Sequence, residues 1–243
     1  MAKPAPGDLR ALVFDVFGTL VDWRGSIARE AREVLVPRGV NVDWHAFADA
    51  WRAQYQPAME EVRSGKIPFS KLDVLHRRNL EVVLKEFGIR GLDEATRLHL
   101  NLAWHRLDAW PDVAPGLQRL RERHRIAPCS NGNVSLMVDL ARRNGLPWDA
   151  ILGAEFARDY KPKAVVYQQA ASAFDCEPSQ VVMVAAHSND LAAAAEAGLR
   201  TAHIARPDEK GPGRGEHEPS VTVDIAARDL LHLADQLDAR APR

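Results

Sequence analysis

The chain has 243 residues, 46% hydrophobic and 27% charged, an ordinary balance for a soluble globular protein with a sizeable core. Lys plus Arg (32) nearly balances Asp plus Glu (33), which argues against a global field drawing the chain to nucleic acid or an anionic membrane. No run approaches the roughly 18 apolar residues that span a bilayer. Met1 to Arg10 holds no signal-peptide core, and two cysteines, Cys129 and Cys176, make no disulfide framework, so a cytoplasmic protein is expected.

Ala11 to Val16 (ALVFDV) is an apolar run of strand formers interrupted by Asp15. From Trp23 to about Trp110 the pattern turns helical and carries no strand signal. Asp43 stands where it would cap a helix bearing Phe47, Ala50, Trp51, Ala58 and Met59, with a kink expected at Pro57. Leu72, Leu75, Leu80, Val83, Leu84 and Phe87 mark a second helix stopped by Gly88, and a third runs from Asp93 to Leu107. Ala109 to Gly116 (AWPDVAPG) reads as a return linker, and Arg119, Arg121, Arg123 and Arg125 as a solvated face.

Apolar runs then recur at Arg125–Cys129, Ala150–Ala154, Val181–Ala186 and Thr201–Ala205, continuous rather than alternating, as in parallel strands covered on both faces. Between them lie helical patterns: Val134–Asn144 stopped by Gly145, Lys163–Phe174 after Pro162, and Leu191–Ala197 ending at Gly198. Gly211 to Ser220 (GPGRGEHEPS) reads as a surface loop. Alternating strand and helix predicts a parallel α/β sheet with a helical module inserted after its first strand.

Ligands of open α/β sheets bind beyond the carboxyl ends of the strands. The strand ends here deliver Asp15, then Ser130-Asn131-Gly132, then Lys161-Pro162, then His187-Ser188-Asn189-Asp190. An acid, small polar groups with backbone donors, a cation and a histidine–acid pair thus gather on one rim. The other histidines show no metal-ligand spacing. Cys129, inside a strand, reads as packing.

The segment Asp15-Val16-Phe17-Gly18-Thr19-Leu20, taken with Ser130-Asn131-Gly132, Lys161-Pro162 and Asp190, resembles the haloacid dehalogenase superfamily, and within it the L-2-haloacid dehalogenase (type II) subfamily. The resemblance covers essentially the whole chain. It implies an α/β fold: a Rossmann-like parallel sheet core (1–22 and 111–243) with an inserted helical cap domain (23–110). It also implies that Asp15 displaces halide from C2 of a short 2-haloalkanoic acid, forming an ester that water opens to the 2-hydroxy acid. Phosphatases of the superfamily carry a second aspartate two residues after the nucleophile. Phe17 stands there instead, where the dehalogenases have an aromatic residue, commonly tyrosine.

On the same resemblance Lys161 keeps Asp15 ionised, Thr19 hydrogen-bonds it and Asp190 orients Lys161. Ser130 helps hold the substrate carboxylate, Asn131 and Arg52 receive the halide, and Tyr167 matches the subfamily pattern. The fourth motif departs from that pattern: Ala185-Ala186-His187 replaces a frequent Ser and Asn. His187, of a residue type that titrates near neutrality, is expected to be the general base for ester hydrolysis. Asp15, the Phe17 carbonyl and Asp190 stand where the phosphatases hold Mg²⁺, but the subfamily needs no metal, and neither metal nor cofactor is expected. The expected partner is a small 2-halocarboxylic acid, with no nucleic acid or membrane; homodimers are common in the family. Two alternatives stay open: a phosphatase-type hydrolase of a small phosphorylated metabolite, and a non-catalytic member binding a small carboxylate or a protein partner.

Overall fold

A computed structural model of the chain describes residues 9–240. The expectation drawn from Met1 to Arg10 therefore lies mostly outside the described residues. Strand β1 (Ala11–Phe14) is completely buried, and its apolar run ends where Asp15 begins the catalytic-side loop. A two-residue strand β2 (Val21–Asp22) follows, and the Asp22 side chain caps helix α1 (Trp23–Leu35) by accepting from the Gly25 N–H at 2.8 Å.

Helices α2 (Trp44–Ala53), α3 (Tyr55–Arg63), α4 (Leu72–Glu86) and α5 (Glu94–Asn101) come next, with a 3-10 turn at Leu102–Arg106. Asp43 and Asp93 cap α2 and α5 through their side chains. Pro57 does not kink a long helix as expected. The first helix stops at Gln54, and Pro57 sits in the first turn of α3, where its missing N–H has no intrahelical partner to lose. The segment also holds one short strand the sequence did not signal, β3 (Asp108–Ala109), which pairs antiparallel with β2 where the chain leaves and re-enters the helical region. The supposed return linker folds too: α6 (Val113–Arg121) begins inside it, with Pro115 again in a first turn.

The remaining elements are β4 (Arg125–Ser130), α7 (Val134–Asn144), β5 (Leu152–Gly153), α8 (Ala154–Ala157), α9 (Ala164–Ser172), β6 (Val181–Ala185), α10 (Ser188–Glu196), β7 (Arg200–Ile204), β8 (Ile225–Ala227) and α11 (Leu230–Arg240). Neither β8 nor α11 was anticipated. The strands form one six-stranded parallel sheet in the order β5-β4-β1-β6-β7-β8. β1 lies centrally, so its carboxyl end opens between those of β4 and β6, the switch point of the topology. Apolar side chains cover both faces: Phe14, Leu12, Val182 and Val184 face the helical insert, α6 and α11, and Val13, Ala127, Met183 and Ala185 face α9 and α10.

The arginine cluster is less free than expected. Arg119 reaches Asp235 and Asp238 on α11, Arg121 reaches Asp149, and Arg125 donates to the Phe174 carbonyl. No helix among the described residues is long and apolar enough to cross a membrane.

Candidate active site

The centre of the site is the Asp15 carboxylate, 7% exposed. Its Oδ1 accepts from the Lys161 ammonium at 2.9 Å, and its Oδ2 from the Thr19 hydroxyl at 2.7 Å and from His187 Nδ1 at 3.1 Å. Burial alone would raise the acid's pKa. The Lys161 charge opposes that first, followed by the His187 hydrogen bond and charge and the Thr19 hydrogen bond, and the net result lies well below the usual carboxylate range. Asp15 is an ionised, nearly dry carboxylate.

Four local structures hold these groups. Thr19 sits one turn beyond the strand, where the Ala186 N–H donates to its Oγ1 at 2.9 Å and ties the Asp15 loop to β6. Lys161 follows α8, and its ammonium also reaches Asp190 at 2.5 Å, in the first turn of α10. Tyr167, on α9, donates to the other Asp190 oxygen at 2.5 Å. Burial lowers the lysine's pKa, but Asp15 and Asp190 raise it further, so Lys161 stays charged. The buried phenol of Tyr167 is pushed above its ordinary value by burial and the adjacent Asp190 charge.

His187 lies between two carboxylates. Its Nε2 faces Glu209 Oε2 at 3.0 Å, so each ring nitrogen meets a carboxylate and both carry protons. Burial depresses the pKa, but the hydrogen bonds and charges of Asp15 and Glu209 outweigh it and raise it to about 10. Both flanking carboxylates thus favour the protonated imidazole while Asp15 is ionised.

Glu209 was missed in the sequence. It lies, 3% exposed, in the segment after β7, and its second oxygen accepts from Trp23 Nε1 at 3.0 Å. Gly18 makes room for it: at φ +89°, a Cβ there would collide with Glu209 Oε1. The base of this segment is fixed by the buried Arg206, which donates to the Thr19 carbonyl at 2.8 Å and forks onto Asp112 at 2.9 and 2.8 Å. The stretch that follows, Gly211 to Ser220, read as a plain surface loop, lends Arg214 and Glu216 to the cavity lining. Glu216, within it, receives the Ser188 N–H at the start of α10.

Asp15, Lys161, Asp190, Tyr167, His187 and Asn131 line one cavity of about 1020 Å³, and Arg52 and Tyr55 from the helical segment line its opposite wall. Arg52 lies at the end of α2, its guanidinium 4.0 Å from the Tyr55 ring centroid, 5.4 Å from Trp23 and 5.7 Å from Phe17. Phe17 is buried behind that wall, edge-on to Tyr55 and Trp104. Ser130 is fully buried, and its hydroxyl accepts from the Gly132 N–H at 3.1 Å, which leaves its own proton free to donate. Arg63 of α3 donates to the Lys161 carbonyl at 2.8 Å and so links the helical segment to the lysine loop, a contact no sequence pattern announced.

The donor set does not fit a divalent cation. Asp15 and Asp190 already share the Lys161 ammonium, and their remaining oxygens accept from Thr19, His187 and Tyr167. Among the described residues no other group of His, Cys, Asp or Glu could hold a metal ion.

The haloacid dehalogenase-like hydrolase family matches residues 9–198. Among curated relatives, (S)-2-haloacid dehalogenase 4A of Burkholderia cepacia is 29% identical over 204 residues, covering 82% of this chain and 84% of its own. Two solved structures are more similar. The crystal structure of a defluorinating L-2-haloacid dehalogenase is 44% identical, with a TM-score of 0.92 and 95% of each chain covered. That of another L-2-haloacid dehalogenase is 45% identical, with a TM-score of 0.91, covering 95% of this chain and 99% of its own.

Proposed function

This chain belongs to the haloacid dehalogenase-like hydrolase family, and from that premise we propose that it hydrolyses a short 2-haloalkanoic acid to the 2-hydroxy acid and halide through an ester on Asp15. Helices α1–α5 are read as a cap domain (23–110) over a core (1–22 and 111–243). The observation that carries the proposal is the state of Asp15: an ionised carboxylate, held by three donors, facing a cavity whose far wall presents the Arg52 guanidinium. Such a carboxylate attacks an electrophilic carbon, and the cation across from it receives the departing anion. A phosphatase needs a proton donor for its leaving alkoxide. At the position that would supply one stands Phe17, buried among aromatic rings.

Two half-reactions follow. In the first, an Asp15 oxygen bonds to C2 and the carbon–halogen electron pair leaves with the halide; no proton moves. Esterified Asp15 is neutral, so His187 loses one of the two anions that hold its proton. Its pKa falls from about 10, and the proton on Nδ1 passes to solvent, while Glu209 keeps Nε2–H in place. Neutral His187 then takes a proton from the water that attacks the ester carbonyl, and returns it to the departing hydroxyl oxygen. Regenerated Asp15 gives its own proton to His187, which restores the resting pair. His187 is therefore a base that alkylation of Asp15 switches on. Lys161, anchored by Asp190 and Tyr167, holds the carboxylate in the first half and the developing oxyanion in the second.

Halide release from chloro- and bromoacetate and from both enantiomers of 2-chloropropionate, measured after exhaustive EDTA treatment, tests the assignment. Undiminished release is expected, and added Mg²⁺ should change nothing. Activity that appears only with Mg²⁺, or only on phosphate esters, would replace dehalogenation by phosphoryl transfer.

A further inference from the structure

Tyr55 opens α3 directly after the break at Gln54, and that break turns its side chain into the cavity beside Asp15. Only 5% of the residue is exposed. Its ring carries the Arg52 guanidinium on one face and meets the edge of Phe17 at 6.2 Å.

The hydroxyl is polarised by its neighbour. Asn131 Oδ1 accepts the Lys161 backbone N–H at 2.9 Å, so the part of the amide left for the Tyr55 hydroxyl is its NH₂. An amide NH₂ only donates, so beside the Tyr55 hydroxyl it can only present protons to the phenol oxygen. A phenol oxygen that accepts from Asn131 keeps its own proton for a third group. Among the described residues no acceptor takes that proton, and Arg52 Nη1, on the same wall, is buried without a partner. A buried donor is rarely left unmatched, and Arg52 Nη1, with the Tyr55 hydroxyl proton open to the same cavity, calls for an acceptor that arrives with the substrate.

We propose that the Tyr55 hydroxyl, oriented by the Asn131 amide, donates a hydrogen bond to the departing halide, and that it decides how basic a halide the site can expel. The proposal rests on the dehalogenase reading and adds a residue to it. No proton is transferred: Asp15 forms its bond to C2, the electron pair of the broken bond goes to the halide, and Tyr55 remains a phenol. The benefit of a hydrogen-bond donor grows with the basicity of the leaving anion, from bromide through chloride to fluoride. A preorganised donor to developing negative charge is worth about 10²–10³-fold in rate where the charge is most concentrated. Tyr55 therefore matters least for bromide and most for fluoride.

Tyr55→Phe keeps the ring that seats Arg52 and removes only the hydroxyl. Halide release should be followed in single turnovers with excess enzyme, using fluoro-, chloro- and bromoacetate, so that only the displacement step is read. Relative to the parent, bromide release should fall a few-fold, chloride release about 10-fold and fluoride release about 10²-fold. Equal slowing of all the leaving groups, or no slowing, would overturn the assignment. If the parent leaves fluoroacetate untouched, the change in the chloride-to-bromide ratio decides the same question. A parent that releases no halide from any of the three would instead sink the dehalogenase reading itself.

Discussion

His187→Ala is expected to release close to one equivalent of halide per active site and then stall, with the substrate's acyl-bearing carbon trapped as an ester on Asp15. Displacement of halide needs an ionised carboxylate, and Lys161 and Thr19 keep Asp15 ionised without the histidine. Opening the ester needs a base, and the proposal gives that part to the imidazole clamped by Glu209, 3.1 Å from Asp15 Oδ2. Steady-state turnover should drop by about 10²–10⁴-fold, the range for loss of a positioned general base. Glu209→Gln should show the same burst with a smaller loss, because it leaves the imidazole in place but removes the anion that stabilises its protonated form. A mass increase on the peptide containing Asp15 is the readout. Halide release and ester opening slowed together, with no trapped adduct, would remove His187 from the second half-reaction.

The other large effect belongs to Asp15→Ala, which should lower halide release by about 10⁴-fold or more, with no burst at any pH. The fold should persist, since Lys161 retains Asp190 and His187 retains Glu209 as ionic partners. Thermal melting alongside the halide assay separates loss of chemistry from loss of structure. A folded Asp15→Ala protein that still turned over at a comparable rate would mean that water attacks C2 directly.

Much of this was legible in the sequence, for a physical reason. Buried parallel strands are short, continuous apolar runs, so a polar residue ending one stands out; Asp15, Asn131 and the His187–Asp190 cluster were all visible as strand ends, and Lys161 as the cation between. Helix stops at Gly145 and Gly198 were visible because only the left-handed conformation of glycine closes those turns cheaply. What was hidden lay where local pattern and tertiary role part company. Pro57 and Pro115 look like breakers, yet a proline in a first helical turn loses no hydrogen bond, so one sits in the first turn of α3 and the other in the first turn of α6. Glu209 lies in a stretch without periodicity, just before a run rich in glycine and proline, and nothing along the chain says that it will meet His187 and Trp23 across the fold. The environment of His187 was hidden with it. Histidine titrates near neutrality only until two carboxylates flank it, and one of the two was invisible.

The covalent role of Asp15 is tested most directly by where the product's new oxygen comes from. With enzyme in excess over a 2-halocarboxylic acid in ¹⁸O-water, one turnover should deliver a hydroxy acid whose new hydroxyl is essentially unlabelled, because that oxygen comes from the Asp15 carboxylate, while the solvent label appears on Asp15 itself. Full labelling of the product hydroxyl in that first turnover, with none on Asp15, would contradict the ester mechanism.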